Sequence, residues 1–310
     1  MSLSSKDLLG LKDLPREEIG YILSLAQEMK KMLKQNIKKT PHLQNKSVVT
    51  LFYENSTRTR MSFELAAKFM GASVSNIAVS NSSVKKGESL IDTGKTLDAL
   101  CTDVIIIRHS MSGSPKLLAD NIKASVINGG DGTNEHPTQA LLDMYTMIEK
   151  FGGLKGLKVA IVGDIKHSRV ARSNIWGLKK SGAEIILAAP YTLMPQDIDK
   201  TGVRMTANTD EAVQGADVVM GLRLQLERQQ AGLFPSIAEY HELYGLNDER
   251  LALASPEAII MHPGPVNRGY EMSSSVIDSD RSKIEEQVLN GVAIRMAILF
   301  LITRGGKKTL

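Results

Sequence analysis

The segment Ser56-Thr57-Arg58-Thr59-Arg60 constrains this chain more than any other. It follows the apolar run Val48-Val49-Thr50-Leu51-Phe52-Tyr53 and precedes Met61-Ser62-Phe63-Glu64-Leu65-Ala66-Ala67, whose spacing is helical. A strand therefore ends where a helix begins. Helix N-termini attract anions through unpaired N–H groups and the positive end of the dipole. Arg58 adds a planar fork that matches two oxygens of one phosphate. The plainer alternative is an N-cap from Ser56 or Thr57 with solvated arginines. Hydroxyls and guanidiniums packed between a buried strand and a helix favour a phosphate cradle.

The pattern around this segment is an alternation. Pro15 opens a stretch to residue 35 with Ile19, Ile22, Leu23, Ala26, Met29 and Leu33 at helical spacing. Strand-like runs follow at 47–53, 74–79, 103–108 and 124–128, with helical patterns at 57–70, 88–101 and 114–121 between them. A helix over 137–151 ends at Phe151-Gly152-Gly153-Leu154-Lys155-Gly156, a hinge-like linker. The alternation then restarts, with strands at 157–163, 184–189, 216–221 and 257–261 and helices at 168–181, 209–214 and 236–253. A last helix spans 282–304. Strands alternating with helices predict an α/β chain of two domains, each a parallel sheet with helices on both faces. A length of 310 residues suits about two domains.

In open α/β sheets, ligands bind beyond the carboxyl ends of the strands. The distinctive polar residues fall at such ends. Arg58 follows the first strand, Arg108-His109 closes Asp103-Val104-Ile105-Ile106-Ile107, and His136-Pro137-Thr138-Gln139 follows Val126-Ile127-Asn128-Gly129-Gly130. Arg169 follows Val159-Ala160-Ile161-Val162, Arg223 ends Asp217-Val218-Val219-Met220-Gly221-Leu222, and His262-Pro263-Gly264-Pro265 ends Ala258-Ile259-Ile260-Met261. One arginine at a strand end is an ordinary surface residue. Four arginines and two histidines at six ends predict a cationic cleft for a phosphorylated or carboxylated substrate.

Several chemistries are disfavoured. Lys+Arg of 38 against Asp+Glu of 34 and an aromatic content of 5% offer neither a nucleic-acid field nor stacking platforms. Cys101 is the single cysteine, which rules out an intramolecular disulfide or a Cys-rich zinc site and predicts a reducing, cytoplasmic setting. No uninterrupted apolar stretch approaches 18 residues, so no membrane span is expected, and Met1-Ser2-Leu3-Ser4-Ser5-Lys6-Asp7 does not read as a signal peptide. Gly163-Asp164 lacks the second glycine of a dinucleotide fingerprint, and no P-loop or G-x-S-x-G elbow occurs. His136, His167 and His262 have no metal-ligand spacing, so no metal is expected. The segment Ser82-Ser83-Val84-Lys85-Lys86-Gly87-Glu88 reads by itself as a solvated loop.

With these residues in view, nearly the whole chain resembles the aspartate carbamoyltransferase catalytic-subunit family. The resemblance rests on Ser56-Thr57-Arg58-Thr59-Arg60, Lys85-Lys86-Gly87-Glu88, Arg108-His109 and His136-Pro137-Thr138-Gln139. It continues through Gly163-Asp164-Ile165-Lys166-His167-Ser168-Arg169, Leu222-Arg223-Leu224-Gln225-Leu226-Glu227-Arg228 and Met261-His262-Pro263-Gly264-Pro265-Val266-Asn267-Arg268-Gly269. Ornithine-type members carry an H-C-L-P segment where this chain has His262-Pro263-Gly264-Pro265. The lysine loop is one residue shorter than in some relatives, and Gly87-Glu88 set the register that assigns Lys86.

The resemblance implies a carbamoyl-phosphate domain over 1–136, completed by the C-terminal helix 283–310, and an aspartate domain over 137–282. It implies transfer of the carbamoyl group of carbamoyl phosphate to the amine of L-aspartate, in pyrimidine synthesis. Ser56, Thr57, Arg58 and Thr59 would hold the phosphate, with Ser83 and Lys86 reaching in from a neighbouring subunit of a homotrimer. Thr59, Arg108 and His136 would face the carbonyl oxygen, Gln139 the carbamoyl amide, and Pro263 and Gly264 would line the same ligand. Arg169 and Arg223 would clamp the aspartate carboxylates, with Gln225 and Lys86 assisting. No cofactor is implied. A regulatory chain or a dihydroorotase partner is compatible with the resemblance. Another amino-acid acceptor, or a non-catalytic homologue that binds phosphate ligands, are the alternative readings.

Overall fold

The structure is a computed structural model and describes residues 3–78, 87–196, 198–225, 233–234 and 236–305. Contacts divide the chain into a first unit, 1–142 with 288–310, and a second unit, 143–287.

The first unit opens with α1 (Arg16–Lys34), whose Ile19, Ile22, Leu23, Ala26 and Met29 form the buried face that the 3.6-residue period requires. Then β1 (Ser47–Phe52), α2 (Thr57–Phe69), β2 (Ser73–Ala78), α3 (Leu90–Ala99), β3 (Val104–His109), α4 (Ser114–Ala119) and β4 (Ser125–Asp131) alternate. The strands are parallel in the order β2-β1-β3-β4. Both faces are covered, which explains the near-continuous apolar runs of β1 and β3. Val49, Leu51, Ile105, Ile107 and Val126 pack there with Leu97 and Leu118. Because β2 lies on one side of β1 and β3 on the other, the strand order reverses between β1 and β3.

The N-terminal segment covers the outer edge of β4. Leu8 pairs with Ile127 in parallel, the Leu8 N–H donates to the Val126 carbonyl at 2.9 Å, and Asn128 N–H returns to the Leu8 carbonyl at 2.9 Å. An otherwise open edge strand is thereby paired.

The helices α5 (Pro137–Phe151) and α11 (Ile284–Gly305) each contain a division between the units. The division inside α5 falls at 142/143, five residues past the helix start at Pro137. Within the first unit, Ala293, Ile294, Met296, Ala297, Ile298 and Leu299 of α11 are buried. On average hydropathy Ile284–Arg304 is long and apolar enough to cross a membrane, although Arg295 interrupts the run. The segment is mostly buried inside the fold, as a core helix is.

The second unit holds β5 (Lys158–Val162), α6 (Arg169–Ser181), β6 (Glu184–Ala188), β7 (Arg204–Thr206), α7 (Thr209–Val213), β8 (Val218–Gly221), α8 (Ile237–Tyr244), α9 (Asp248–Ala252), β9 (Ile259–Met261) and α10 (Ser274–Ile277). Its parallel order is β7-β6-β5-β8-β9. The reversal here falls between β5 and β8.

The single helix expected over 236–253 is two helices. Gly245 takes extended backbone (φ −65°, ψ 144°), and Asn247 caps the second helix by accepting from the Arg250 N–H. Leu246 between them pairs with Met272. Strand β7 and helix α10 have three and four residues, too short for a period to show in sequence.

Candidate active site

Both reversal points carry the arginines that the sequence singles out. In the first unit β1 and β3 pair in register from Val48↔Val104 to Phe52↔Arg108, so Arg108 stands beside the end of β1. The Tyr53 N–H donates to the Arg108 carbonyl at 2.9 Å and extends that pairing. Four residues later α2 begins. Ser56 occupies its N-cap position (φ −159°, ψ 96°) without a side-chain cap hydrogen bond, and the first turn holds no acid. The first turns of α1, α7, α9 and α11 do carry acids. The first turn of α2 thus offers no acid to its dipole, as is also so in α4, α5, α6 and α10. Thr57 and Arg58 are exposed at this end, whereas Thr59 is buried and its carbonyl accepts from the Ser62 hydroxyl at 3.0 Å.

Arg108 is held at two points. Its Nε lies 3.3 Å from Glu54 Oε2, and its Nη1 donates to the Gly129 carbonyl at 3.3 Å. The register between β3 and β4 shifts by one residue between Ile107 and His109, placing an irregularity beside this side chain. The adjoining His109 stacks on Tyr53 with ring centroids 4.5 Å apart, and its Nδ1 accepts the Met111 N–H at 2.9 Å. Burial lowers the His109 pKa, against the opposing charges of Glu54 and Asp131.

His136 follows β4 and immediately precedes α5. It is buried, and its carbonyl accepts the N–H groups of Gln139 at 3.1 Å and Ala140 at 3.3 Å. That first turn holds Gln139, also buried, one position beyond Thr138. Thr138 receives a hydrogen bond from Arg295 Nη2 at 3.4 Å, and the same guanidinium lies 5.0 Å above the Phe63 ring. Helix α5 has no acid in its first turn either.

In the second unit the chain leaves β5 through Gly163, at φ +133°. A Cβ there would stand 2.6 Å from the Leu222 carbonyl, so only glycine lets the strand ends lie this close. The Leu222 N–H donates to the Val162 carbonyl at 2.7 Å. Asp164, fully buried, accepts from the His167 N–H at 3.1 Å, from the His167 ring at 2.9 Å and from the Gln225 N–H at 3.3 Å. One carboxylate therefore holds the turn leading to Arg169 and the segment bearing Arg223 and Gln225. Arg169 is buried at the first position of α6, whose Ser168 cap accepts the Ala171 N–H at 3.1 Å. Pro263 and Gly264 follow β9, the neighbour of β8. His262 Nδ1 accepts the Gly264 N–H at 2.8 Å, and its Nε2 lies 3.3 Å from the buried Glu271.

Thus Ser56, Thr57, Arg58, Thr59, Arg108, His136 and Gln139 belong to the first unit, and Arg169, Arg223, Gln225, Pro263 and Gly264 to the second. Ser83 and Lys86 lie outside the described residues. Among the described residues no group of three or more His, Cys, Asp or Glu side chains could hold a metal. Sequence reasoning gave no role to Glu54, Asp164 or Glu135. Glu54 stands two residues past a strand end and Asp164 lies inside a noted motif, but their partners are set by strand pairing and are not visible in spacing.

The aspartate/ornithine carbamoyltransferase carbamoyl-P binding domain matches residues 6–149, and the Asp/Orn binding domain of the same enzymes matches 155–302. A relative from Acetivibrio thermocellus named aspartate carbamoyltransferase catalytic subunit is 67% identical over 304 residues, covering 98% of this chain and 97% of the relative. The Trypanosoma cruzi aspartate transcarbamoylase structure in complex with carbamoyl aspartate and phosphate superposes with a TM-score of 0.87 at 34% identity, covering 96% of each chain. Ornithine carbamoyltransferase from Pyrococcus furiosus gives the same TM-score, 0.87, at 31% identity over 98% of this chain and 99% of that one. Backbone similarity does not separate the two acceptors.

Proposed function

This chain belongs to the aspartate/ornithine carbamoyltransferase family, and from that premise we propose that it transfers the carbamoyl group of carbamoyl phosphate to the amine of L-aspartate. The products are N-carbamoyl-L-aspartate and phosphate, and the reaction is a step of pyrimidine biosynthesis. The observation that carries the reading is the placement of paired arginines at the reversal points of both sheets, Arg58 with Arg108 and Arg169 with Arg223.

The amine nitrogen attacks the carbamoyl carbon, a tetrahedral intermediate forms, and the carbon–oxygen bond to phosphate breaks. The proton released by the amine passes to the departing phosphate. Ser56, Thr57, Arg58 and Thr59 hold the phosphate at the start of α2, with Ser83 and Lys86 of a neighbouring subunit. Thr59, Arg108 and His136 donate to the carbonyl oxygen as it gains charge, and Gln139 binds the carbamoyl amide. Pro263 and Gly264 line the same ligand. Arg169 and Arg223 take the aspartate carboxylates, with Gln225 and Lys86; an ornithine ammonium would meet like charge there. Catalysis rests on positioning and on donors aimed beforehand at developing charge.

A panel of amino-acid acceptors, assayed for carbamoylated product with carbamoyl phosphate as donor, tests the reading. Aspartate should be the preferred acceptor; preference for ornithine, or no product with any acceptor, would overturn it. The subunits act as a homotrimer with shared sites, in the cytoplasm, a setting that suits a chain with the single cysteine Cys101. Inactive Lys86→Ala and Arg58→Ala enzymes, dissociated and reassembled together, should regain activity at interfaces that join two intact sides. Hybrids as inactive as either parent, with mixing verified by mass, would place Lys86 in its own chain's site or in none.

A further inference from the structure

Glu135 stands one residue ahead of His136, is 4% exposed, and has no part in the chemistry above. Its Oε2 accepts the Leu11 N–H at 2.7 Å and its Oε1 the Lys12 N–H at 3.2 Å. A buried carboxylate needs such donors, and these come from a segment more than a hundred residues away in sequence. The approach is close. A Cβ on Gly10 would stand 2.3 Å from Glu135 Oε1 and 2.7 Å from its Cδ. The glycine is there for space, since nothing larger than a hydrogen fits against the carboxylate.

Both ends of this contact are anchored. The N-terminal segment is paired to β4 at Leu8, the Leu9 carbonyl accepts from Asn128 Nδ2 at 2.8 Å, and Asp7 Oδ1 accepts the Val126 N–H at 2.7 Å. On the loop side, the Glu135 N–H donates to Asp131 Oδ1 at 3.2 Å, and the Glu135 carbonyl accepts the Asp131 N–H at 3.2 Å. Asp131 also accepts from Asn128 Nδ2 at 2.7 Å and from the Gly113 N–H at 2.7 Å. The residue that emerges from this lattice is His136, followed by the turn that carries Gln139.

We infer that Glu135 is a positioning residue for His136, its carboxylate locking the N-terminal segment against the loop that presents the imidazole. The N-terminal segment then supports the catalytic apparatus through its backbone contacts with Glu135. Glu135→Gln keeps the shape but turns one acceptor into a donor that meets an N–H, leaving a buried N–H unsatisfied. Gly10→Ala reaches the same contact from the other side with Glu135 intact.

The inference rests on the assignment of His136 to the carbonyl oxygen, and the test separates the two. Wild type, Glu135→Gln and Gly10→Ala are compared as full chains by thermal melting, by kcat and KM, and by NMR titration of the His136 imidazole in histidine-labelled protein. Misplacement of a catalytic donor by about an ångström should lower kcat by roughly tenfold to a hundredfold in both variants. The aspartate KM should change by less than about twofold, and the His136 resonances and titration should shift. Unchanged kcat, or a loss that tracks only the folded fraction with His136 resonances unmoved, would overturn the inference. Should Glu135→Gln fail to fold, Gly10→Ala decides alone. A wild-type protein without carbamoyl transfer would sink the functional reading instead, while the NMR arm would still decide the clamp.

Discussion

The two reversal points solve the same problem in different ways. Neither helix has an acid in its first turn, but at the first point α2 starts with a serine that does not cap it and with exposed Thr57 and Arg58. At the second, helix α6 starts with Ser168 capping the Ala171 N–H, and Arg169 is buried behind it. An open helix end offers backbone N–H groups and dipole charge together, which suits a compact dianion such as a phosphate group. A capped end has spent part of that capacity. In the proposed reading, anion recognition there rests more on guanidinium forks, whose planar geometry suits carboxylates as well as phosphates. Under the proposed function the two ends thus differ at one N-cap: Ser56 leaves the start of α2 open, and Ser168 caps α6.

The largest effect should come from the open end. In the proposed mechanism Arg58→Ala removes a donor to developing transition-state charge, and should lower kcat by roughly 10²–10³, about 2.7–4 kcal/mol. Because Arg58 is exposed, thermal melting should move little. Near-normal turnover at saturating carbamoyl phosphate would show that the open end is not the phosphate site.

Next in size is the capped end. Arg223→Ala should raise the aspartate KM by roughly tenfold to a hundredfold, the value of one charged hydrogen bond of about 1.5–3 kcal/mol. Carbamoyl-phosphate binding without aspartate, followed by calorimetry, should stay as in wild type. Equal losses for both ligands would erase the division of labour between the two ends.

The caps themselves give a sharper contrast. Ser168→Ala should cost about 1 kcal/mol of stability, the usual value of an N-cap. Ser56→Ala should leave the melting temperature nearly unchanged and weaken carbamoyl-phosphate binding. If the two serines exchange these phenotypes, Ser56 is an ordinary cap and Ser168 a ligand.

The smallest effect concerns His109, beside the first reversal point. Its pKa lies below the ordinary 6.5, because burial penalises the imidazolium more than Glu54 and Asp131 favour it. A base with a depressed folded pKa binds fewer protons in the fold than in the unfolded chain. Its stabilisation is therefore complete above 6.5 and is lost as pH falls through the folded value. Melting curves between about pH 7.5 and 5.5 should show a shallower acid decline in His109→Gln than in wild type. A steeper decline in the variant would reverse the sign and place the cause elsewhere.

Much of this contrast was legible before any coordinates. Arg58, Arg108, His136, Arg169 and Arg223 could each be set at a strand end, because apolar runs and helical periods are local signals. The helix over 236–253 was misread for the same reason. Its apolar spacing carries across Gly245, whereas the break is stabilised by Leu246 pairing with Met272, a contact with no local signature.

The sequence by itself determined the alternation of strands and helices, the parallel character of the sheets and the family to which the motifs belong. These depend on residue type and short-range spacing. Tertiary structure alone decided which strands are neighbours, and so where the order reverses and which arginines follow neighbouring strands. It also decided that Glu54 would hold Arg108, that Asp164 would accept from the Gln225 N–H, and that Glu135 would seize the backbone of Leu11 and Lys12. Each of these contacts joins residues far apart in the chain or follows from strand register. Their energy exists only after the loops between them have closed, and no window of sequence contains both partners together.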